Sequence, residues 1–526
     1  MGNRAQPKGV HAPPLAWRPL LKHITIAAAS FAIGFVCHAP PADTVADVVH
    51  VDHVAISSSS TAKVLQDLYA SYVDPASSRP SGGNDFADIV TWMTSQGASF
   101  PNVDIVTYDD EYRGVHAARD IGPGEAIMDI PERFIITGSL AMNAEIGQAA
   151  RAALPDDYAG LDASHNLIAL FLTVERDLGR RSWWFPYLQT LPTSYANLPV
   201  NYDADEVAML AESGNNMDTL HTWELERIVH DYNALCGALA SFCDQHTLET
   251  YKWARLTVKS RAFSLTIDGV EQTALMPYAD MVNHDFDSVA SWRFQHDARR
   301  GQIYSRQPVP KGAPITITYG AKSNRRLLSS YGFALPDNPF DTATIHVQLP
   351  DGEAASGMLA KRVAKSNNPD TEFYRIRFTI TPRSDDDAFQ RALSLSRVAV
   401  ATPEELDVLL NGDTPVSLRN ERAALRYLAM AMDTSYVQAR QSVEVDEALL
   451  NVGLTQNQRN VVLTRLGEKR VLLAAMKMLD DLLTVVDPGL DQGEFNRRRL
   501  HKDMRSHVWY LAEVADLHRR SAATPA

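Results

Sequence analysis

The stretch ADMVNHDFD, residues 279–287, groups aspartates, an asparagine and a histidine around Met281 and Val282. It follows the apolar run TALMPY (273–278), which is typical of a buried strand. A loop could carry these hydrogen-bonding side chains without any function. The meaning of the stretch therefore depends on the segments that precede and follow it.

Length, charge and cysteine content limit the fold and its partners. At 526 residues the chain exceeds what one hydrophobic core usually serves, so two folded domains with extensions are expected. The net charge of -14 argues against nucleic acid as a partner, because neutralising phosphates requires surplus lysine and arginine. Cys37, Cys236 and Cys243 form no CxxC pair. This disfavours a disulfide scaffold or a cysteine-rich zinc site and favours a reducing compartment, such as the cytoplasm or a plastid.

The N-terminal 85 residues are expected to lie outside the fold. Basic residues precede the apolar stretch ITIAAASFAIGFVC (24–37), which is short for a membrane-spanning helix of about 20 residues. This pattern is typical of a targeting segment, and the alternatives are a transit peptide, a signal peptide or a weak anchor. Membrane contact is expected only through 24–37. The Ser- and Gly-rich stretches at 57–62 and 74–85 predict a linker, so the fold is expected to start near Phe86.

The hydrophobic pattern predicts strands mainly in the middle of the chain. Between Val103 and Pro131 two short strands are expected around the Gly-Pro turn at 122–125. Further strand-like segments lie at 273–278, 302–309, 314–319 and 341–349.

Helices are predicted on both sides of these strands. The periodic segments are 163–177, most of 204–261, 417–436 and 454–485. In one of them the apolar face runs up to Arg261. The pattern of Thr402, Pro403 and Glu405 indicates the start of another helix, because Thr402 can cap it and Glu405 can complete a capping box.

Several familiar catalytic sites are absent from the sequence. GPG at 122–124 lacks the third glycine of a dinucleotide-binding loop, since Ile127 stands at that position. No P-loop, HExxH or GxSxG motif occurs. His284 with Asp280 and Asp285 lacks a matching ligand pair, so no metal site is predicted.

Four segments in a fixed order carry the strongest functional signal. They are RGVHAARDIGPGEAIMDIP (113–131), KSRAFS (259–264), MPYADMVNH (276–284) and ITITYGAKSNRRLLSSYGF (315–333). In this order they resemble the SET-domain protein methyltransferases. The resemblance is to the subgroup of the Rubisco large-subunit lysine methyltransferase and the actin-histidine methyltransferase. SWWFPYLQTLPTSY (182–195) and TRLGEK (464–469) extend it over about residues 86 to 480.

The resemblance implies an α+β fold in four parts. A strand-rich SET catalytic domain with a pseudoknot is expected at 86–349, with a helical insertion at about 145–262. An all-α substrate-binding domain is expected at 350–490 and a C-terminal helical extension at 491–526. Residues 1–85 form the targeting and linker segment. The chain is expected to be a monomer that docks a protein substrate with its C-terminal helical domain.

The resemblance also implies which residues bind the methyl donor, S-adenosylmethionine. The opening stretch would lie in the pseudoknot that wraps the donor. Arg261 would meet the donor carboxylate, to which a guanidinium offers a planar pair of N–H groups. The expected donor-binding residues are Gly114, Val115, His116, Arg261, Asp280, Asn283, His284, Ser323, Asn324 and Tyr331.

A second group of residues is expected at the substrate. Tyr319, at the end of the strand ITITY, is the expected catalytic residue, and its hydroxyl would orient the acceptor nitrogen. The substrate channel is expected to be lined by Phe263, Ala279, Trp292 and Tyr331. The chain departs from the family's first motif at Tyr112, where glycine is usual, and at His116, where a relative has arginine.

Two positions favour lysine as the methylated residue. Phe263 and Ala279 match the Rubisco enzyme, whereas the actin-histidine enzyme has asparagine and tryptophan there. An aromatic wall suits the apolar stem of lysine, while an imidazole needs a hydrogen-bonding partner for its ring nitrogen. The sequence therefore predicts a lysine methyltransferase for a non-histone protein. The alternatives are histidine methylation of actin and a catalytically silent interaction module.

Overall fold

The computed structural model describes residues 86–108, 112–154, 164–214, 216–348, 375–383, 385–411, 415–438, 441–487, 489–500 and 507–523. The expected targeting segment and linker lie outside this set, so the prediction for 24–37 stays a prediction. No helix in the part of the chain that the structure describes is long and apolar enough to cross a membrane.

Ten strands between Val103 and Ile317 form three small sheets. One sheet has the order β1 (Val103–Thr107), β2 (Arg113–Ala117), β10 (Pro314–Ile317), β7 (Asn283–His284). The second has the order β3 (Ala126–Pro131), β9 (Arg300–Ser305), β8 (Ala290–Gln295). The third has the order β4 (Ile136–Thr137), β6 (Val270–Leu275), β5 (Phe263–Ile267). These pairs are antiparallel except β7 with β10, which is parallel.

The predicted turn at 122–125 is present, but the strands beside it do not pair with each other. Gly124 adopts a φ of 77°, which favours glycine, and the N–H of Glu125 donates to Gly122 O at 3.2 Å. β2 pairs with β1 and β10, whereas β3 pairs with β9. A local pattern identifies the turn, but it cannot identify pairing partners that come from distant parts of the chain.

Helices fill the predicted insertion between β4 and β5. After α1 (Ala87–Thr94), which precedes β1, they are α2 (Gly138–Asn143), α3 (Glu145–Ala153), α4 (Ser164–Leu178), α5 (Phe185–Leu188), α6 (Ala204–Glu212), α7 (Thr219–Ala238), α8 (Ala240–Gln245) and α9 (Leu248–Arg261). α4 packs against α9, and fully buried residues of both helices belong to one core, namely Ile168, Leu172, Ala254 and Val258. Helix α9 is capped by Thr247, whose side chain accepts the N–H of Thr250, and it ends at Arg261 as predicted.

The described part of the chain after β10 contains two strands and further helices. They are α10 (Asn324–Tyr331), β11 (Ala343–Gln348), β12 (Arg375–Ile380), α11 (Asp387–Ala399), α12 (Pro403–Asn411), α13 (Leu418–Gln438), α14 (Val443–Leu449), α15 (Gln456–Leu483), α16 (Gln492–Arg499) and α17 (Val508–Ala523). The predicted capping box of α12 is confirmed. Thr402 Oγ1 accepts the N–H of Glu405 at 3.3 Å, and Glu405 Oε2 accepts the N–H of Thr402 at 3.0 Å.

The C-terminal module is not entirely helical, and by packing it starts before residue 350. β12 lies inside the region predicted to be all-α and pairs antiparallel with β11. Ile345 and Val347 of β11 are buried with Phe389 of α11 in a second core. The last buried residue of the first core is Ile317. We call β11 to α17 the helical module. The alternating pattern predicts β11 as a strand, but it cannot show which core that strand faces.

One pair of cysteines is bonded in the insertion. Cys236 of α7 and Cys243 of α8 form a disulfide, with their Cα atoms 5.4 Å apart. The bend between the two helices brings the pair together, which the absence of a CxxC motif does not reveal. A single bridge is not a scaffold, but it differs from the reduced thiols that a reducing compartment implies. The compartment itself stays a prediction.

Helix α15 contacts the segment between α10 and β11 at a position that requires glycine. A Cβ at Gly467 would overlap the carboxylate of Asp341. This carboxylate cannot move aside freely, because its Oδ1 accepts the N–H of Asn324 at 2.6 Å. A buried cluster nearby also joins Leu328 of α10 to Val461 of α15.

Gly467→Ala should therefore destabilise the chain by about 1 to 3 kcal/mol, the usual cost of overpacking. The matched control is Gly237→Ala in α7, where a Cβ would meet no atom within 4 Å. Alanine is favoured over glycine in a helix, so this control should be neutral or stabilising. Thermal unfolding of the full chain measures both variants, and equal melting temperatures would contradict the close contact.

Candidate active site

The candidate site is centred on the parallel pair of β7 and β10. Asn283 lies opposite Thr316 and His284 opposite Ile317. Asn283 Nδ2 donates to Arg113 O at 2.9 Å, which joins β7 to β2 as well. The opening stretch therefore contacts two segments from distant parts of the chain. It lies beside β10 at the edge of the sheet and reaches β2 through the side chain of Asn283.

His284 is held as a neutral ring with one proton. Its Nδ1 accepts the N–H of Tyr319 at 3.0 Å, so the proton of the neutral ring must be on Nε2. Burial lowers the pKa of His284 below its ordinary value, which favours this neutral form at pH 7. Nε2 is buried without a hydrogen-bond partner among the described residues.

Tyr319 follows β10 and lies within an aromatic cluster. Its ring stacks on His284 with centroids 5.0 Å apart and lies 4.6 Å from the ring of Tyr331. Its hydroxyl donates to Val282 O at 2.9 Å. Burial raises the pKa of Tyr319 well above its ordinary value, although the charge of Arg261 opposes this shift. The phenol is therefore protonated at neutral pH and serves as a positioned polar group rather than as a base.

Two phenylalanines complete the aromatic cluster, and neither is among the predicted site residues. The ring of Phe286 lies 4.6 Å from His284, and the ring of Phe333 lies 6.2 Å from Tyr331. The YGF pattern contains a signal for Phe333, because only one residue separates it from Tyr331. Nothing comparable distinguishes Phe286.

Arg261 and Asp280 form a buried ion pair beside this cluster. Arg261 Nη1 donates to Asp280 Oδ2 at 3.3 Å and to Asp280 O at 3.1 Å. The hydroxyl of Tyr187 also donates to Asp280 Oδ2, at 2.9 Å. The carboxylate is fully buried. Burial alone would lower the pKa of Arg261, but Asp280 and the neighbouring phenols raise it above its ordinary value.

A second arginine, Arg113, makes the site cationic. Its Nη2 donates to Thr190 O. Burial and the charge of Arg261 lower the pKa of Arg113 to about 10. Two guanidinium groups thus lie within electrostatic reach of one carboxylate, and this excess of positive charge suits an anionic partner. The predicted donor-binding residues do not include Arg113 or Tyr187, although both lie in segments that carry the family resemblance.

Unpaired polar atoms at this position fit an amino-acid ligand. Arg261 Nε and Asp280 Oδ1 are both buried and have no hydrogen-bond partner among the described residues. Buried polar groups are normally paired, so such atoms indicate a missing partner. A group with both a carboxylate and an ammonium satisfies the two atoms together, and the methionine part of the predicted donor is such a group.

The predicted donor-binding strand β2 is in such close contact with its neighbours at Gly114 that a side chain would not fit there. A Cβ there would lie 2.6 Å from the Tyr108 hydroxyl and 3.1 Å from Asn283 Nδ2. Val115 is buried. The side chain of His116 is already occupied, since Nε2 pairs with the Tyr108 hydroxyl at 2.5 Å and Nδ1 with Gly312 O at 2.8 Å. Any contact of His116 with a donor must therefore come from its backbone.

The role of Asn324 at the donor stays a prediction, and it would have to come from the backbone because the side chain is fully engaged within the protein. Its Nδ2 donates to Leu335 O at 2.7 Å and to Asp341 Oδ2 at 3.1 Å. Its Oδ1 accepts the N–H of Leu335 at 2.8 Å and Asn338 Nδ2 at 3.1 Å. All the hydrogen bonds that an amide can make are thus used. Ser323 occupies the N-cap of α10 without a side-chain cap bond.

The residues predicted at the substrate form apolar surroundings. The rings of Phe263 and Trp292 meet edge to face at 5.7 Å, and Trp292 Nε1 donates to Ser264 O at 2.9 Å. Ala279 is fully buried. Tyr331 belongs to the cluster around Tyr319. Within the described ranges, no three His, Cys, Asp or Glu side chains are placed to share a metal ion.

Comparisons with known proteins agree with this architecture. Residues 112–320 match the SET domain family, and residues 360–472 match the Rubisco LSMT substrate-binding family. Actin-histidine N-methyltransferases of Homo sapiens and Papio anubis are each 27% identical over 414 residues, which cover 74% of this chain and 68% of the relative. The SET domain of LSMT bound to lysine and AdoHcy superposes with a TM-score of 0.62 at 20% identity, covering 82% of this chain and 99% of that one.

The fold and the two matched families together define a SET-domain protein methyltransferase. In this chain a Rubisco LSMT substrate-binding domain follows the SET domain. This confirms the resemblance recognised in the sequence.

Arg261→Ala should destabilise the fold by about 3 to 5 kcal/mol, because it leaves Asp280 as an unpaired buried charge. Adding Asp280→Asn to Arg261→Ala should recover part of the loss. The control is Arg299→Ala, which breaks exposed pairs with Glu132 and Asp268 and should have a much smaller effect. Chemical denaturation measures all three variants. Equal losses for Arg261→Ala and Arg299→Ala would refute the buried pair.

Proposed function

We propose that this chain is an S-adenosyl-L-methionine-dependent protein-lysine N-methyltransferase that acts on a non-histone protein. The observation that carries the proposal is the setting of Tyr319. It is a protonated tyrosine held by His284 and Tyr331, within electrostatic reach of the Arg261–Asp280 pair. The apolar side chains at Phe263 and Ala279 support lysine as the target.

The proposed donor site uses the unpaired atoms described above. Arg261 Nε would bind the donor carboxylate and Asp280 Oδ1 the donor ammonium. Asn283 and the Nε2–H of His284 would bind on the adenine side, and the backbone of Gly114, Val115 and His116 would enclose the donor. Ser323 and Tyr331 complete the site. S-Adenosyl-L-methionine supplies an electrophilic methyl group on a sulfonium.

The residues of the chain must present an uncharged amine in line with that methyl group. Removing a proton from lysine, with its ordinary pKa of about 10.4, costs roughly 4 to 5 kcal/mol at neutral pH. Apolar walls such as Phe263 favour the neutral amine because burial penalises the charged form. The proton of the Tyr319 hydroxyl is used by Val282 O, so the phenol oxygen can accept an N–H of the amine and orient its lone pair.

Tyr319→Phe should lower kcat for methyl transfer by at least about tenfold, the low end of what a positioned hydroxyl contributes. The dissociation constant for S-adenosyl-L-methionine, measured by calorimetry, should stay close to that of the wild type. The control is Tyr232→Phe, which removes a hydroxyl bonded to His246 O in the insertion. A Tyr319→Phe enzyme with wild-type turnover would remove Tyr319 from the mechanism.

The named relatives support a second candidate, histidine methylation of actin. The relatives bearing that name are 27% identical to the chain and aligned over most of it. Neither Phe263 nor Ala279 has a side chain that can bond an imidazole nitrogen. Leaving that nitrogen unpaired in a desolvated channel costs about 1 to 3 kcal/mol, which is the basis for preferring lysine.

The choice between lysine and histidine is tested with paired peptides that differ only at the target position. We expect higher kcat/KM on lysine. Phe263→Asn should shift the ratio toward histidine, because the amide can bond the imidazole. The control is Phe294→Asn, which alters an equally buried phenylalanine on a different strand, β8. Preferential methylation of histidine by the wild type would favour the actin candidate.

We further propose that the helical module docks the protein substrate. The match of residues 360–472 to a substrate-binding family supports this. Transfer of labelled methyl groups into a proteome extract, followed by mass spectrometry, would identify the protein and the modified residue. A chain that binds no donor and transfers no label would instead be a silent interaction module.

A further inference from the structure

The turn Tyr331-Gly332-Phe333 carries two of the aromatic rings around Tyr319. Gly332 ends α10 in the left-handed region, with a φ of 78°. Its N–H donates to Leu327 O at 3.2 Å and to Leu328 O at 3.1 Å. The backbone of this turn therefore sets where the rings of Tyr331 and Phe333 lie. We call these two rings the aromatic wall.

The helical module holds one side of this turn through Asn460 of α15. The side chain of Asn460 is fully buried. Its Nδ2 donates to Gly332 O at 3.1 Å, and its Oδ1 accepts the N–H of Ala334 at 3.2 Å. One amide thus bonds the backbone on both sides of Phe333. Gln456 Nε2 donates to the same Oδ1 at 3.1 Å and orients the amide.

The insertion holds the opposite side of the turn through Asn197. Its Nδ2 donates to Tyr331 O at 3.2 Å. A Cβ at Gly332 would lie 2.8 Å from Asn197 O, so the two backbones are in close contact. Asn457 of α15 donates to Ala196 O at 3.1 Å, which joins the helical module to the same loop. The turn is therefore fixed between the insertion and the helical module.

We propose that Asn460 is a positioning residue that sets the aromatic wall against Tyr319. The helical module is then part of the catalytic geometry as well as a docking surface. Without Asn460, Gly332 O and the N–H of Ala334 would lose their partners in a buried setting, and the turn would shift to find new ones. Small displacements of this kind cost catalytic rate because methyl transfer depends on alignment.

The expected loss of methyl transfer rests on the proposed function. The hold on the turn, by which Asn460 fixes the backbone of Gly332 and Ala334, does not. The experiment therefore has two arms, applied to the full chain and to two variants. Asn460→Ala removes both bonds to the turn. Asn420→Ala is the matched control, because Asn420 is also fully buried in the helical module and its Nδ2 donates to Arg397 O at 2.9 Å.

The first arm measures amide hydrogen exchange of the segment 327–334. Exchange should be at least about tenfold faster in Asn460→Ala than in the wild type, as expected for a locally opened segment. It should be unchanged in Asn420→Ala. Similar exchange in both variants would overturn the hold on the turn.

The second arm measures kinetics on the lysine peptide with S-adenosyl-L-methionine. Asn460→Ala should lower kcat by about tenfold with little change in KM for the peptide, as a loss of alignment predicts. Asn420→Ala should keep kcat even if both variants lose similar stability. Equal kcat in the two variants would overturn the positioning role. A wild type without methyl transfer would refute the proposed function, and faster exchange confined to Asn460→Ala would still support the hold on the turn.

Discussion

The hydrogen bond from the Tyr319 N–H to His284 Nδ1 is the contact on which the site depends. It requires an imidazole without a proton on Nδ1, which burial of His284 favours. It also joins the end of β10 to the end of β7, two segments brought side by side by their parallel pairing. The aromatic stacking, the orientation of the Tyr319 hydroxyl toward Val282 and the direction of Nε2 all follow from this contact.

The charged half of the site is organised by the insertion. Tyr187 satisfies one oxygen of Asp280 and leaves the other without a partner. Arg113 and Arg261 outnumber the single carboxylate, and burial together with repulsion by Arg261 lowers the pKa of Arg113. A buried excess of positive charge is costly unless a ligand compensates it. The insertion therefore helps to build the binding site as well as to cover it.

The ordered motifs predicted residues that the fold brings together, because the ends of the helix and strand that carry them can be recognised from local patterns. Arg261 at the end of α9, Tyr319 just after β10 and the Asn283–His284 pair are of this kind. Asn324 shows the limit, because a motif position does not reveal which way a side chain points. Its amide turns into the 335–341 segment instead of the site. β5 was not predicted because the helical pattern of α9 runs almost directly into it.

Pairing and packing between distant segments explain the remaining differences between the predicted and the observed fold. The separation of β2 from β3 and the membership of β11 in the second core depend on partners far along the chain. The spacing of residues along α15 is also set by contacts with distant parts of the chain. Asn457, Asn460 and Gly467 lie on one face and contact the insertion, the aromatic turn and Asp341 in succession. Each residue turns an α-helix by about 100°, so a single deletion between Asn460 and Gly467 would break this alignment. During evolution this segment can exchange its outward side chains freely, but its length is constrained.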